Sequence, residues 1–582
     1  MPAARIVLAA LVSAGALVAV PAATAALTER PLVYVVSIDG LDGDAVDQGK
    51  APFIASLLAG DDAFATLFQE SRSVMPAETN PNHVAMMTGA YGGASGIPAN
   101  AFALYASLPN EDSCAATGPF DFARAPTPTS GEDATCLLAE TTFAAIKRQG
   151  DPDALVTAAI LGKPKLGRIF ANRTVDPERL DVDHLWAPCS SGADDDAYCG
   201  DAPTNPATGY AIDDTVVMDE VLRVADEGVL EDGRIKRPDL VFVNLPQVDS
   251  AGHATGRGPI YDQAVGMADA EIQRLVTQLR TRLEWERTVL ILVSDHSMDT
   301  TPTKVSPADR FADAGVADDQ YVEVPNGSAS LIYLADRTSP QRFELLKKMR
   351  DAALTDSGIS EVLYREPNPA DGGDQHTIDA VHPAWGLAGE RTGDLVVLTK
   401  PGASFEESVP LPGTHGAPQT RDNFLAVVGG RGFVRGQLLT GAADALFDDT
   451  LTNPTQSENV DIASTVMGLF GLFAPRDNAG RFLREAFDRR LLPGFAKPSV
   501  APRLAVRAVK GKRRCRYRLT FTPAGGVYDV QRRQAGRWRP IRWHTTRTAV
   551  RVAGPRGLRF RVRSRAASNV HSAWRATPRK CR

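Results

Sequence analysis

After its first 25 residues, the sequence has no apolar run long enough to span a membrane, no low-complexity tract and no internal repeat. These absences argue against a membrane channel. Hydrophobic residues make up 43% and charged residues 23%, which is ordinary for a folded globular protein and argues against disorder. A chain of 582 residues exceeds what one core usually fills, so we expect one large domain and at least one smaller one.

The N-terminus has the features of a signal peptide. Arg5 precedes an apolar stretch over residues 6–20, and residues 23–25 form a small-x-small site suited to signal peptidase. The competing interpretation is a membrane anchor, but the apolar stretch is shorter than the ~20 residues that a span needs. We therefore expect residues 1–25 to be removed, the mature chain to have no transmembrane helix, and the protein to be secreted or otherwise extracytoplasmic.

The six cysteines lack any Cys-x-x-Cys spacing, which argues against a zinc knuckle. Outside the cytoplasm, thiols are usually oxidised to disulfides. Six cysteines permit fifteen connectivities, and proximity in the sequence favours three local pairs. These pairs are Cys114 with Cys136, Cys189 with Cys199, and Cys515 with Cys581.

Acidic residues are nearly absent from the C-terminal part of the chain. Residues 501–582 contain 24 Lys or Arg and one acid, Asp529, whereas the rest of the chain has 40 basic and 69 acidic residues. A Pro-containing stretch separates the two parts. The predicted organisation is a signal peptide (1–25), a main domain (26–492), a linker (493–502) and a basic C-terminal module (503–582).

The main domain has the pattern of an α/β fold. Short β-branched runs alternate with amphipathic stretches, which predicts a mostly parallel sheet flanked by helices. The predicted strands are residues 32–38, 240–245, 289–293, 395–398 and 424–428, and the predicted helices include 213–225 and 263–283.

The C-terminal module shows short alternating segments separated by Gly, Pro and polar turns. This pattern predicts a small all-β sandwich. In residues 528–531 and 559–563, it weakly resembles a fibronectin type III module. The predicted strands are residues 516–521, 527–532, 548–552 and 558–563.

Carboxylate and imidazole side chains follow several predicted strands. The carboxyl ends of strands in α/β sheets are where ligands bind. Taken singly, an Asp in this place is usually a helix N-cap or a turn residue. Together the set offers equal numbers of carboxylates and imidazoles, which suits zinc better than calcium or magnesium. The residues are Asp39, Asp249, His253, Asp295 and His296 after strands, and His415 in a Gly-flanked loop.

A candidate nucleophile, Thr79, lies in the segment Glu-Thr-Asn-Pro-Asn-His, twenty-one residues before Asn100. Free threonine is a poor nucleophile, so a metal or a base would have to activate its hydroxyl. The simpler alternative is that Thr79 caps a helix N-terminus.

This ordered set resembles the alkaline phosphatase superfamily, and within it the type I phosphodiesterase/nucleotide pyrophosphatase branch, over residues 31 to about 490. The resemblance implies that residues 26–492 are a catalytic domain with two Zn²⁺ ions. It implies that Asn100 stabilises the phosphoryl oxygen. One implied ligand set is Asp39, Thr79, Asp295 and His296, and the other is Asp249, His253 and His415.

The resemblance also implies a reaction. Thr79 would attack phosphorus and form a covalent phosphothreonine, which water then hydrolyses. The family commonly has Gly where this chain has Ser297 and often has His where it has Ser95, and neither change removes a ligand. Sulfatases carry Cys or Ser with Pro two residues later and Arg four residues later, whereas this chain has Thr79, Pro81 and His83, so sulfate esters are disfavoured. Alkaline phosphomonoesterases place an Arg shortly after the nucleophile, and no Arg follows Thr79 nearby, so phosphate diesters are favoured over monoesters. We expect a secreted phosphodiesterase or nucleotide pyrophosphatase.

Two lysines leave a closely related activity open. Lys163 and Lys165, in Gly-Lys-Pro-Lys-Leu-Gly-Arg, resemble a pair that binds substrate in phosphonoacetate hydrolase, a carbon–phosphorus hydrolase of the same superfamily. The alternative is that both lysines lie in a solvated loop.

The basic module suggests a function that is not catalytic. Its charge could attach the protein to nucleic acid or to an anionic cell-envelope polymer by counterion release. The alternative is that the arginines reflect a general preference for arginine in the genome and that the module is an inert spacer.

Overall fold

The computed structural model describes most of the main domain and the strands of the C-terminal module. The predicted signal peptide and linker lie outside the described residues. These are 30–60, 63–107, 114, 120–132, 134–149, 155–188, 199–200, 213–231, 233–405, 412–430, 433–435, 438–440, 457–487, 503–510, 515–522, 527–534, 537–545, 549–554, 558–565 and 575–576.

The strands of the larger sheets are, in chain order, β1 (Leu32–Ile38), β2 (Phe64–Phe68), β3 (Thr157–Leu161), β4 (His184–Pro188), β5 (Cys199–Gly200), β6 (Leu240–Leu245), β7 (Thr288–Val293), β8 (Tyr321–Asn326), β9 (Ala329–Leu334), β10 (Ile359–Tyr364), β11 (Leu395–Thr399), β12 (Leu425–Gly429), β13 (Leu438–Thr440), β14 (Arg503–Lys510), β15 (Cys515–Thr522), β16 (Val527–Gln534), β17 (Arg537–Thr545), β18 (Ala549–Gly554), β19 (Arg559–Arg565) and β20 (Arg575–Ala576). The α-helices are α1 (Gly43–Asp47), α2 (Pro52–Ala59), α3 (Thr79–Thr88), α4 (Gly92–Ser95), α5 (Thr142–Gln149), α6 (Pro164–Phe170), α7 (Asp214–Glu227), α8 (Gln247–Thr255), α9 (Pro259–Thr281), α10 (Pro307–Asp313), α11 (Arg342–Ala353), α12 (Ile378–Val381) and α13 (Asp461–Leu469).

A nine-stranded sheet forms the centre of the main domain. Its order is β5-β4-β3-β6-β1-β7-β12-β2-β13. Strand β1 pairs in parallel with β6 on one side and β7 on the other, whereas β12 is antiparallel to β7 and β2. The predicted mostly parallel sheet flanked by helices is therefore confirmed.

Both faces of this sheet are buried, which explains its continuous apolar strands. Along β1, Val33 and Val35 point into one apolar cluster with residues of α3 and α13, and Tyr34 and Val36 point into another with residues of α2, α7 and α9. Alternate side chains of a strand point to opposite faces, so one short sequence supplies both cores.

The predicted strand at residues 395–398 belongs to a different sheet. It forms β11 in a four-stranded sheet with the order β8-β9-β11-β10, in which the pairs are antiparallel. The prediction of a strand is confirmed, but its assignment to the main parallel sheet is wrong. A β-branched run favours a strand and does not specify the partner with which the strand pairs.

The strands of the C-terminal module form two sheets, β14-β15-β18 and β17-β16-β19-β20. One apolar cluster joins them, and this confirms an all-β sandwich. The narrower resemblance to fibronectin type III remains a prediction. The cluster contains Tyr517, Leu519, Phe521, Tyr528, Val530, Val550, Leu558, Phe560 and Val562.

Cys114 and Cys136 form a disulfide, as their proximity in the sequence predicts. The other two predicted pairs include Cys189 and Cys581, which lie outside the described residues. In the part of the chain that the structure describes, no helix combines the length and apolarity needed to cross a bilayer.

We predict that Asp269 of α9 stabilises the N-terminus of α2, whose N-cap, Ala51, offers no side-chain hydrogen bond. Its two carboxylate oxygens accept from the backbone N–H groups of Phe53 and Ile54 at 2.9 and 2.7 Å. Asp269→Ala should lower the free energy of unfolding by about 1–2 kcal/mol. The control is Asp262→Ala in the same helix, which removes a partly exposed ion pair with Lys50 and should cost less than about 1 kcal/mol. Equal thermal melting of the two variants would contradict the prediction.

Candidate metal centre

Three neighbouring parallel strands bring the predicted carboxylates to one edge of the main sheet. Asp39 directly follows β1, and Asp295 follows β7 after one residue. Asp249 lies in the first turn of α8, which begins two residues after β6 ends. Because β6, β1 and β7 are adjacent and parallel, their carboxyl ends meet at this edge.

The two outlying histidines reach the same edge from α8 and from a loop. His253 is four residues after Asp249 on α8, so both side chains lie on one face of the helix. His415 follows the short strand Gly413–Thr414, which pairs with Asp299–Thr300 beyond β7. A backbone bridge between Ala77 and Gly416 also holds the segment before Thr79 against His415.

The six side chains predicted from the sequence converge, although they are spread over almost four hundred residues. Two groups have ligand atoms that all lie within 4.8 Å of one another. One group is Asp39, Asp295 and His296, and the other is Asp249, His296 and His415. His253 adjoins the second group, with its Nε2 3.3 Å from Asp249 Oδ1.

The three imidazoles are oriented in the same way. Each Nδ1 lies 3.0 Å from a backbone carbonyl oxygen, and a carbonyl only accepts, so Nδ1 carries the proton and Nε2 presents a lone pair. The pairs are His253 with Gly413, His296 with Ser297, and His415 with Ala77.

These lone pairs face buried carboxylate oxygens that have no hydrogen-bond partner. Asp249 Oδ1 lies 3.3 Å from His253 Nε2 and 3.5 Å from His415 Nε2. Asp295 Oδ2 lies 3.2 Å from His296 Nε2. Acceptors that face each other out of water are unfavourable unless a cation lies between them. The residues therefore fit a metal centre with mixed nitrogen and oxygen ligands.

Thr79 is the first residue of α3, and Glu78 is the N-cap. The alternative that Thr79 is a helix N-cap is therefore wrong. Its side chain is 1% exposed, and Oγ1 lies 3.4 Å from His296 Nε2. The hydroxyl is held at the centre by the fold of the whole domain, since these two residues are 217 apart in the sequence.

Lys163 lies inside the centre. It is the N-cap residue of α6, after β3, and is fully buried, so the solvated-loop alternative is wrong for this lysine. Its Nζ donates to Asp39 Oδ1 at 2.9 Å, Asp249 Oδ2 at 2.7 Å and Thr79 Oγ1 at 3.2 Å. One ammonium therefore bridges a carboxylate of each ligand group and the hydroxyl of the candidate nucleophile. Lys165, two residues later, is only half-buried.

Burial and the lysine charge set the protonation of the centre. Burial acts to raise the pKa of Asp249, but the Lys163 ammonium and the three neighbouring imidazoles together outweigh it, and the pKa lies well below its usual range. Burial and the charge of Asp39 hold the pKa of Asp295 well above its usual range. Burial lowers the pKa of His296 to about 4 and that of His415 well below its usual range, so both are neutral at pH 7. Neutral imidazoles can bind a metal.

Asn100 lies against the first turn of α3. Its Oδ1 accepts from the backbone N–H of Asn80 at 2.8 Å, and its own N–H donates to Glu78 Oε2 at 2.6 Å. The backbone donor that follows Thr79 is therefore already used by Asn100. The side-chain NH₂ of Asn100 takes no part in these two hydrogen bonds.

Two residues next to the centre were missed by sequence reasoning. Asn244 is buried in β6 and its Nδ2 donates to Asp39 Oδ2 at 2.8 Å. His83 is fully buried, with Nδ1 2.9 Å from the carbonyl oxygen of Thr79. An amide within an otherwise apolar central strand was a detectable indication, because buried polar groups need partners.

Comparison with known proteins identifies a family whose sequence profile matches most of the main domain. The sequence profile of the family described as type I phosphodiesterase/nucleotide pyrophosphatase matches residues 33–418. No curated protein matches the sequence.

Two solved structures illustrate the likeness. An inactive variant of murine ectonucleotide pyrophosphatase/phosphodiesterase 5, in complex with AMP, is 16% identical with a TM-score of 0.52, covering 77% of this chain and 96% of that one. Phosphonoacetate hydrolase from Sinorhizobium meliloti 1021, in complex with phosphonoacetate, is 16% identical with a TM-score of 0.47, covering 74% of this chain and 94% of that one. At this identity the first likeness concerns the fold, and no argument rests on the second.

We predict that Lys163 stabilises the metal-free centre. Lys163→Met would leave two buried carboxylates without their shared ammonium, and this should cost about 3–5 kcal/mol of unfolding free energy in metal-free protein. Saturating zinc should reduce the difference, because metal ions supply the missing positive charge. Lys165→Met is the matched control and should have little effect. Thermal melting with chelator and with zinc measures both, and equal effects of the two substitutions would contradict the prediction.

Proposed function

This chain belongs to the type I phosphodiesterase/nucleotide pyrophosphatase family, and from this premise we propose that it is a two-zinc phosphodiester hydrolase with Thr79 as its nucleophile. The observation that carries the proposal is the set of buried, unpaired acceptors beside the Thr79 hydroxyl. We further propose that the protein acts outside the cytoplasm, as the N-terminal sequence predicts.

The proposed ligands follow from the two converging groups. Three imidazoles and three carboxylates favour zinc over the oxygen-binding cations. Zinc ions, when bound, promote ionisation of a hydroxyl and stabilise negative charge on phosphoryl oxygens. The ligands are Asp39, Thr79, Asp295 and His296 for one ion, and Asp249, His253 and His415 for the other.

The chain's own groups would assist attack by Thr79 on phosphorus. The Lys163 ammonium, 3.2 Å from Thr79 Oγ1, stabilises negative charge on that oxygen. The side-chain NH₂ of Asn100 binds a phosphoryl oxygen and stabilises the charge that develops there. Formation of the bond from Thr79 Oγ1 to phosphorus would break the bond to one alcohol of the diester, and that alcohol leaves. Water would then cleave the phosphothreonine, releasing the phosphomonoester and restoring the hydroxyl, while Asn244 holds Asp39 in place.

A second candidate activity is the hydrolysis of a carbon–phosphorus bond. The observation that favours it is the buried Lys163 ammonium beside Thr79, because a cation at that place suits a substrate with more than one negative charge. The absence of an Arg after Thr79 favours diesters, but Lys163, at the N-cap of α6, supplies the positive charge that such an Arg would carry.

Replacing the nucleophile should separate catalysis from metal binding. Thr79→Ala should lower turnover of a phosphodiester at least about 10³-fold, because no other residue can form the phosphothreonine. Bound zinc should stay near the wild-type amount, since the remaining ligands persist. The matched control is Thr88→Ala at the far end of the same helix, where Oγ1 donates to the Val84 carbonyl and accepts from the backbone N–H of Ala90. Full activity in Thr79→Ala would contradict the mechanism.

The substrate class should show in a panel of three compounds. We expect zinc-loaded protein to hydrolyse bis(p-nitrophenyl) phosphate faster than p-nitrophenyl phosphate or phosphonoacetate. The steady-state kcat/KM values for the three measure the preference. Faster release of phosphate from phosphonoacetate, together with its loss in Lys163→Gln, would instead establish the second candidate.

A further inference from the structure

The outward face of the sheet β14-β15-β18 is rich in exposed arginine. Along β15 the inward residues Tyr517, Leu519 and Phe521 are buried in the sandwich core, and the residues between them point outward. On the three strands the outward residues include Arg503, Ala505, Arg507, Arg516, Arg518, Thr520, Ala549 and Arg551. The five arginines among them are exposed. We call this surface the arginine face.

Three of these arginines stand directly opposite one another. Arg507 of β14 pairs with Arg518 of β15, and Arg518 pairs with Arg551 of β18. Adjacent strands lie ~4.8 Å apart, and like charges in directly opposed positions destabilise a sheet. The row therefore costs stability in the isolated protein.

The module has only one acidic residue with which to offset this charge. The one acid among residues 501–582, Asp529, is on β16 of the other sheet, where its backbone is in register with that of Arg563. Within the described residues, none of the five arginines on the face forms an ion pair with an acid. Counter-charge for the arginine face therefore has to come from outside the module.

The composition of the face indicates which kind of anion it suits. Guanidinium groups bind phosphate in a bidentate geometry. Outward residues repeat every ~6.8 Å along a strand, so the face suits a chain of spaced single charges. The outward residues whose side chains the structure describes include no aromatic side chain on which bases could stack, and no large apolar side chain that could enter a membrane.

We propose that the arginine face binds a linear polymer of phosphodiester-linked polyol units. The binding is non-catalytic and independent of the proposed hydrolase activity. Each neutralised phosphate releases counterions, so the affinity depends steeply on salt concentration.

The test compares two triple variants of the full-length protein. R507Q/R518Q/R551Q removes the cross-strand row, and R533Q/R559Q/R563Q removes the same number of charges from the other sheet. Binding to poly(glycerol phosphate) is measured from 0.05 to 0.5 M salt, with oligo(dT) and anionic phospholipid vesicles as alternative probes. Hydrolysis of a small diester by zinc-loaded protein is followed in parallel, so that loss of catalysis is recognised separately.

The row variant should lower the slope of log affinity against log salt by about 2, since each charge contributes about 0.7. At 0.1 M salt this corresponds to about 100-fold weaker binding, if the affinities converge at 1 M. The control variant should lose at most a few-fold, because charges beyond the Debye length of about 10 Å are screened. The row variant should also melt no lower than the wild type at low salt, since like-charge repulsion is removed.

Three results would overturn the proposal. Equal losses in the two variants would show general attraction to the module rather than binding at the arginine face. Unchanged affinity of the row variant for poly(glycerol phosphate) would show that the arginine face does not bind the polymer. Tighter binding of wild type to oligo(dT) or to vesicles than to poly(glycerol phosphate) would assign the module to nucleic acid or to a membrane instead.

Discussion

Lone pairs that face one another in a buried space are the constraint on which the rest of this centre depends. The Nε2 atoms of His253, His296 and His415 act as acceptors, since each Nδ1 is used by a carbonyl. Those of His253 and His415 face Asp249 Oδ1, an ionised carboxylate oxygen that has no hydrogen-bond partner among the described residues. A core built for stability alone would not gather such groups, because each loses its hydrogen bonds to water without gaining a donor. Cations between these groups would resolve the conflict, whereas Lys163 binds the neighbouring oxygens Asp39 Oδ1 and Asp249 Oδ2.

The backbone holds these side chains in place, through the positions of the strands that they follow and through hydrogen bonds to loop carbonyls. Three adjacent parallel strands fix the backbone positions of the carboxylates, and loops then fix the imidazoles through their Nδ1 atoms. The loop that carries His415 leaves no room for a side chain at Gly416. This residue has φ 120°, and a Cβ there would lie 2.7 Å from the carbonyl oxygen of Asn326. The backbone around the candidate metal centre thus fixes where its side chains lie, and such preorganisation suits electrostatic catalysis.

The sequence was most informative where chemistry and topology coincide. Asp39, Asp249 and Asp295 could be predicted because each follows an apolar strand, and parallel strands end at a common edge. The position of Lys163 could not be predicted, because its place among the carboxylates depends on β3 being the next strand beyond β6. For the same reason residues 395–398 were predicted as a strand but not in the correct sheet. The arginine row likewise depends on the register of the strands, which places Arg507, Arg518 and Arg551 opposite one another. This register could not be predicted from the sequence.

The central claim, that these residues form a two-metal centre, is tested most directly by anomalous diffraction at the zinc edge from crystals of zinc-loaded protein. We predict two peaks, each within about 2.0–2.2 Å of its nitrogen and carboxylate ligands. One peak should lie among Asp39, Asp295 and His296, and the other among Asp249, His253 and His415. A single peak, or zinc bound elsewhere on the chain with none at this edge of the sheet, would contradict the claim.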